Sequence, residues 1–121
     1  MIYTGYFAKT KYYTTSGLTT VSIAGKAPDF YKGVQYKKLA PSFGLVYAYK
    51  SGAIKPDEFR DIYYTEVLSK LDPVEVKKEL EEITGAIDIV LLCYETPSDF
   101  CHRQLVSEWF NKAGIKVWES N

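Results

Sequence analysis

Cysteine and histidine are scarce in this 121-residue sequence, with two of the first and one of the second. Two cysteines without an export signal suggest free thiols in a reducing interior. Long apolar runs are missing too. The longest, Ile89 to Cys93, is far too short to cross a bilayer. The first residues turn polar and charged too early for a secretory leader, so a cytoplasmic location without membrane contact is expected. Glycine is absent between Gly85 and Gly114. That excludes a phosphatase-type loop, in which a cysteine and an arginine bracket a glycine-rich cradle. Acid is nearly absent from the front: residues 1–55 carry eight lysines and one acid, Asp29, a balance of +7. Residues 56–121 carry seven basic residues against fourteen acids, −7, so the formal net charge is zero.

What is present is ordinary for a globular domain: 46% hydrophobic and 25% charged residues, long enough for one core but not two. Ten of the eleven tyrosines fall in the first 64 residues, alongside the lysines. An asymmetry of this kind bears on partners more than on fold. Its simplest account is attraction between the two halves of one domain.

Ile2 to Ala8 reads as a strand and Leu18 to Gly25 as a second. Residues 9–17 read as a loop between them. Residues 26–42 show neither helical nor alternating period and read as a long irregular loop dense in Lys and Tyr. Residues 42–52 suit a helix capped by Ser42 and stopped by Gly52. The next helix opens at Pro56, with Asp57 and Glu58 at the positive end of its dipole and Phe59, Ile62, Tyr63 and Val67 as its stripe. A third begins at a capping box, Asp72 and Glu75 around Pro73, and stops at Gly85, burying Val76, Leu80 and Ile83.

Residues 86–94 are apolar on both parities after Asp88, which marks a strand covered on both faces. Residues 98–114 predict a helix with stripe Leu105, Val106, Trp109, Phe110 and Ala113, and residues 115–119 a last strand. The order β-β-α-α-α-β-α-β predicts one α/β domain over residues 1–121. Its small, mostly parallel sheet of about four strands is flanked by helices in a Rossmann-like three-layer arrangement. Trp118 and Tyr3 on expected strands leave a homodimer edge open.

The chemistry concentrates in residues 91–105, "LLCYETPSDFCHRQL", which hold both cysteines and the histidine. In such sheets ligands gather beyond the carboxyl ends of strands. With Ser98 or Asp99 as cap, the N–H groups of the helix start would offer an anion site. Arg103 falls in the same first turn, where a cation opposes the dipole by roughly 0.3–1 kcal/mol and so needs a partner. That partner is Glu95, Glu108 or Asp99 on one reading and a ligand phosphate or carboxylate on the other. Cys101 and His102 continue the buried stripe, which suits packing. A first-turn position also lowers a thiol's pKa, which suits a nucleophile. Direct Cys101–His102 pairing is disfavoured, because helix neighbours i and i+1 do not face each other. His102 would then serve a substrate or bond to Glu95 or Tyr94. Cys93, ending a buried strand, suits packing. Cys93, Cys101 and His102 form Cys-x7-Cys-His, which lacks the paired spacing of structural zinc sites, so neither metal nor cofactor is expected.

Over nearly its full length the chain resembles the domain-of-unknown-function family 488 of bacteria and their phages. The matching pieces are "YTGYFAK", "PDFYKGVQYKKLAPS", "YYTEVLSKLDP" and, above all, "VLLCYETPSDFCHRQLVSEW". The resemblance implies a compact α/β fold with a site around Cys93, Glu95, Cys101, His102 and Arg103, and no particular reaction. Relatives carry an Asp and an Arg in the second strand where this chain has Ser22 and Ala24, as in a shorter lysine-rich subgroup. Lys26, Lys32 or Lys37 would stand in for that charge.

Two functions follow. The first is a domain that binds or acts on a small anionic ligand, a nucleotide or nucleobase derivative. Arg103, Asp99 and Ser98 would hold the anion with Lys32, Tyr6, Tyr31 or Tyr36 would stack on a ring, and Cys101, Glu95 and His102 would act on it. The second is nucleic-acid binding through residues 26–38, where lysines for phosphates alternate with aromatics worth about 1–3 kcal/mol per stacked base. Against the second stands the plainer view that Phe30, Tyr31 and Tyr36 only anchor the loop.

Overall fold

The computed structural model describes residues 1–94 and 101–119. Five strands run through them: β1 (Ile2–Tyr6), β2 (Thr19–Ser22), β3 (Val34–Gln35), β4 (Ile89–Cys93) and β5 (Val117–Glu119). Five helices accompany them: α1 (Thr10–Thr15), α2 (Phe43–Lys50), α3 (Pro56–Glu66), α4 (Pro73–Thr84) and α5 (His102–Lys112). All strand pairs are parallel, in the order β3-β2-β4-β1-β5.

The centre of the sheet follows from one stretch of sequence. All five residues of β4 are buried, as an apolar run of both parities requires. Its side chains alternate between two cores. Ile89 and Leu91 join Val76, Leu80, Leu105, Val106 and Phe110 on the side of α4 and α5. Val90 and Leu92 join Phe7, Tyr13 and Tyr31 on the side of α1. Helices on both faces make three layers, the arrangement a parallel sheet needs to hide both its surfaces.

Helix boundaries follow local chemistry where the sequence supplies it. Ser42 caps α2 by accepting the Leu45 N–H at 3.1 Å, and Asp72 caps α4 by accepting that of Glu75 at 3.2 Å. Gly85 ends α4 in the left-handed region, φ 66°, where glycine carries no Cβ penalty. In α3, Phe59 and Tyr63 are buried, and the Tyr63 hydroxyl donates to the Leu39 carbonyl at 2.6 Å.

Several expectations are corrected. Residues 10–15 form α1 rather than loop, fixed by one fully buried ring, Tyr13, which accepts the Tyr6 N–H. Residues 34 and 35 pair with β2 as an edge strand too short to show a period. Ile83 is half exposed rather than buried. Helix α5 starts at His102 with Cys101 as its N-cap, later than a cap at Ser98 or Asp99 would place it. No helix among the described residues is long and apolar enough to cross a membrane.

Candidate functional site

Strand β2 connects to β3 on one side and its neighbour β4 connects through α5 to β5 on the other, so their connections diverge along the sheet. Beyond β2, Ala24 and Tyr31 pack on the α1 face. Beyond β4 the chain leads to α5, which packs on the other face. A crevice between such divergent exits is where open parallel sheets bind ligands. A cavity of about 260 Å³ lies there. Ala24, Gly25 and Lys26 from the β2 exit line one wall, and Phe43, Val46, Tyr49 and Lys50 of α2, with Phe59 of α3, another. Cys93, Tyr94, Cys101 and His102 complete it. The Tyr94 hydroxyl donates to the Lys26 carbonyl at 2.5 Å and so ties the two strand exits together.

Cys93 and Cys101 are joined as a disulfide, which replaces the expected free thiols. Strand β4 delivers one sulfur and the N-cap of α5 the other. His102 then sits 3.5 Å from the Cys93 sulfur and 3.7 Å from the Cys101 sulfur through Nδ1. Neighbours in sequence meet here because Cys101 has an extended backbone, φ −149° and ψ 155°, so the rule that separates helix neighbours does not apply. The partner of His102 on its other side is a backbone carbonyl rather than Tyr94, whose hydroxyl is on the Lys26 carbonyl. The His102 Nε2 lies 2.7 Å from the Ile23 carbonyl oxygen. A carbonyl only accepts, so Nε2 carries the proton and Nδ1 presents a lone pair to both sulfurs. Burial pushes the His102 pKa down to about 4, against a smaller upward pull from that carbonyl, so the ring is neutral near pH 7.

Arg103 does not line this cavity. Its side chain is fully buried, and its Nε donates to the Glu119 carboxylate at 3.1 Å. The second oxygen of Glu119 accepts from the Thr4 hydroxyl. The guanidinium therefore fastens α5 to β5 and β1 through Glu119, a carboxylate outside the three the sequence offered. Glu95, Ser98 and Asp99 lie outside the described residues. The remaining candidates are not at the cavity. Tyr6, half-buried at the end of β1, and Lys32, an exposed loop residue, are not among its described lining residues. Tyr36 is buried, with its hydroxyl donating to Glu79, which Lys38 also contacts at 3.0 Å. Burial and then that carboxylate push the Tyr36 pKa up.

The basic loop thus divides. Tyr31, through the Val34 carbonyl at 2.7 Å, and Tyr36 are anchors, whereas Phe30 is exposed. Of its lysines, only Lys26 reaches the cavity. Sequence reasoning named Lys26 only as a stand-in charge and missed Phe43, Tyr49, Lys50 and Phe59 as lining residues. For Lys26 the signal was available, since it follows the carboxyl end of a parallel strand. For the helical residues it was not, because only packing decides which face of α2 turns inward.

A family model described as "Active DUF488-N3 subclade" matches residues 13–114, most of the chain. No curated protein and no solved structure matches it. The chain belongs to the DUF488-type family.

Proposed function

We propose that this DUF488-family protein binds a small anionic ring compound, of the nucleotide or nucleobase class, in the cavity beyond β2 and β4. The observation that carries the reading is the cavity's lining. Among its described residues are two lysines and four aromatic rings. Lys26 and Lys50 suit a phosphate, and the rings of Phe43 and Tyr94, both substantially exposed, suit a base edge or face. The volume lies a little below the roughly 300 Å³ at which drug-sized pockets begin, which favours a base or mononucleotide over a longer chain. Cys101 and His102 would face the ligand from the inner end. As a disulfide, that end offers no nucleophile, so chemistry at a sulfur belongs to the reduced form. With this reading goes a cytoplasmic location, where the bond between the two cysteines would be held reduced.

Thermal-shift and NMR titrations with a nucleobase, its nucleoside, its monophosphate and inorganic phosphate test the proposal. The monophosphate is expected to bind best. Replacing Lys26 and Lys50 together by Ala should weaken it by about tenfold, ~1.4 kcal/mol, with little change for the nucleoside. Phe43→Ala should weaken both. No binding of any of these compounds by folded protein would overturn the reading. So would tight, steeply salt-dependent binding of single-stranded DNA alone, which would shift attention to Phe30, Lys32 and Lys37 on the loop.

A further inference from the structure

We propose that Cys93, Cys101 and His102, in the dithiol form of the protein, hold one zinc-type divalent metal ion with a fourth coordination position open to the cavity. The inference stands whatever the cavity binds. Its basis is the mutual geometry of three buried ligand atoms, two sulfurs and Nδ1, all within 4.8 Å of one another. An ion with metal–sulfur bonds of ~2.3 Å and a metal–nitrogen bond of ~2.05 Å in tetrahedral arrangement sets a sulfur-to-nitrogen edge of about 3.6 Å. The two such edges here are 3.5 and 3.7 Å. Only the sulfur-to-sulfur edge must open, to ~3.8 Å by the same arithmetic. The Cα atoms of the two cysteines are 7.0 Å apart, at the outer limit of what a disulfide spans, so the backbone already leaves room for that opening.

The histidine is held as a ligand should be. Its Nε2–H is fixed on the Ile23 carbonyl, which sets the tautomer and aims the Nδ1 lone pair between the sulfurs. In the disulfide, that lone pair faces two atoms that carry no proton. In the dithiol it has a cation to bind. Two thiolates and an imidazole are a borderline-soft set, which favours zinc over magnesium or calcium. Closed structural sites have four protein ligands, whereas three with an open position mark a site where a water or substrate atom coordinates. All three ligands line the cavity and no fourth donor joins them among the described residues, so the remaining position is assigned to the cavity side. The missing Cys-x2-4-C spacing is no obstacle, because a strand end and a helix cap bring Cys93 and Cys101 together instead of a tight knuckle.

Loading proceeds in two balanced steps. A thiol or dithiol reductant gives two electrons to the sulfur–sulfur bond and leaves as its own disulfide, while the cysteine sulfurs take two protons. The ion then displaces those protons to solvent and binds both thiolates.

The test uses the full chain, reduced with a dithiol, freed of reductant without air, and titrated with cobalt(II) alone and then zinc(II). Expected is one cobalt per chain, with a thiolate-to-cobalt charge-transfer band and the visible bands of tetrahedral coordination, both bleached by zinc. Cys93→Ser and Cys101→Ser should each bind at least about tenfold more weakly, with reduced charge-transfer intensity, and His102→Gln should lose the tetrahedral bands. Should a variant fail to fold, oxidised wild-type protein is the control: the same chain with its sulfurs bonded should give no cobalt band. Reduced, folded wild-type protein without a charge-transfer band would overturn the proposal, as would a band undiminished in Cys101→Ser or in the oxidised chain. Nucleotide titrations read a different signal, so either idea can fail alone.

Discussion

At the scale of the residue, Arg103 shows how far a sequence position can inform and where it stops. A basic residue in a helix's first turn needs a negative partner, and it has one. Which partner depends on how β5 returns beside β1, and that is written far from residues 91–105. Removing the side chain tests the consequence. Arg103→Ala should cost about 3–5 kcal/mol in urea unfolding, as loss of one member of a buried pair does, while surviving folded protein keeps its affinity for ligands in the cavity. A large loss of affinity in a stable variant would return the guanidinium to the site. Glu79 gives a second residue-scale prediction. The Tyr36 hydroxyl, and then Lys38, hold its pKa below the usual carboxylate value in the folded state. The unfolded chain therefore binds its proton first as pH falls. The contribution is present above the ordinary carboxylate range and is lost as pH drops through and below it. Glu79→Gln should flatten that part of a stability-against-pH curve, followed by denaturant midpoints.

Elements were legible in proportion to how much of their cause is local. Helix α4 was readable end to end because Asp72, Pro73 and Gly85 act on their own neighbours, and Asp72→Ala should cost about 1 kcal/mol by chemical denaturation. The burial of β4 was readable because its composition allows nothing else. Helix α1 was not, since what fixes it is Tyr13 filling the space above Gly5. A Cβ at Gly5 would come under 3.0 Å from the Tyr13 ring. Gly5→Ala should thus displace a fully buried tyrosine and cost about 1–3 kcal/mol, seen as a lowered melting temperature with altered tyrosine near-UV dichroism. The cysteines were found as a pair of interest but misjudged in state. Sequence spacing does not reveal that the end of a strand and the cap of a helix face each other across a crevice.

For the whole molecule, the cavity joins what the sequence keeps apart. The β2 exit, α2 and the β4–α5 corner meet through the Tyr94–Lys26 bond and the hold of Ile23 on His102. The bond between Cys93 and Cys101 closes a loop across eight positions, which by chain entropy is worth roughly 2–3 kcal/mol. Reduction without metal should lower the global unfolding midpoint accordingly, measured by urea titration of oxidised and reduced protein side by side. Unchanged midpoints would mean that the corner is held by packing alone.

The sheet's two margins, β3 and β5, are two and three residues long among the described residues. A neighbouring chain seeking to extend the ladder meets only a few backbone donors and acceptors, too few to template fibrils or runaway stacking. Crowded solutions of this protein should therefore stay clear, and any pairing of copies would have to proceed through side chains such as Trp118.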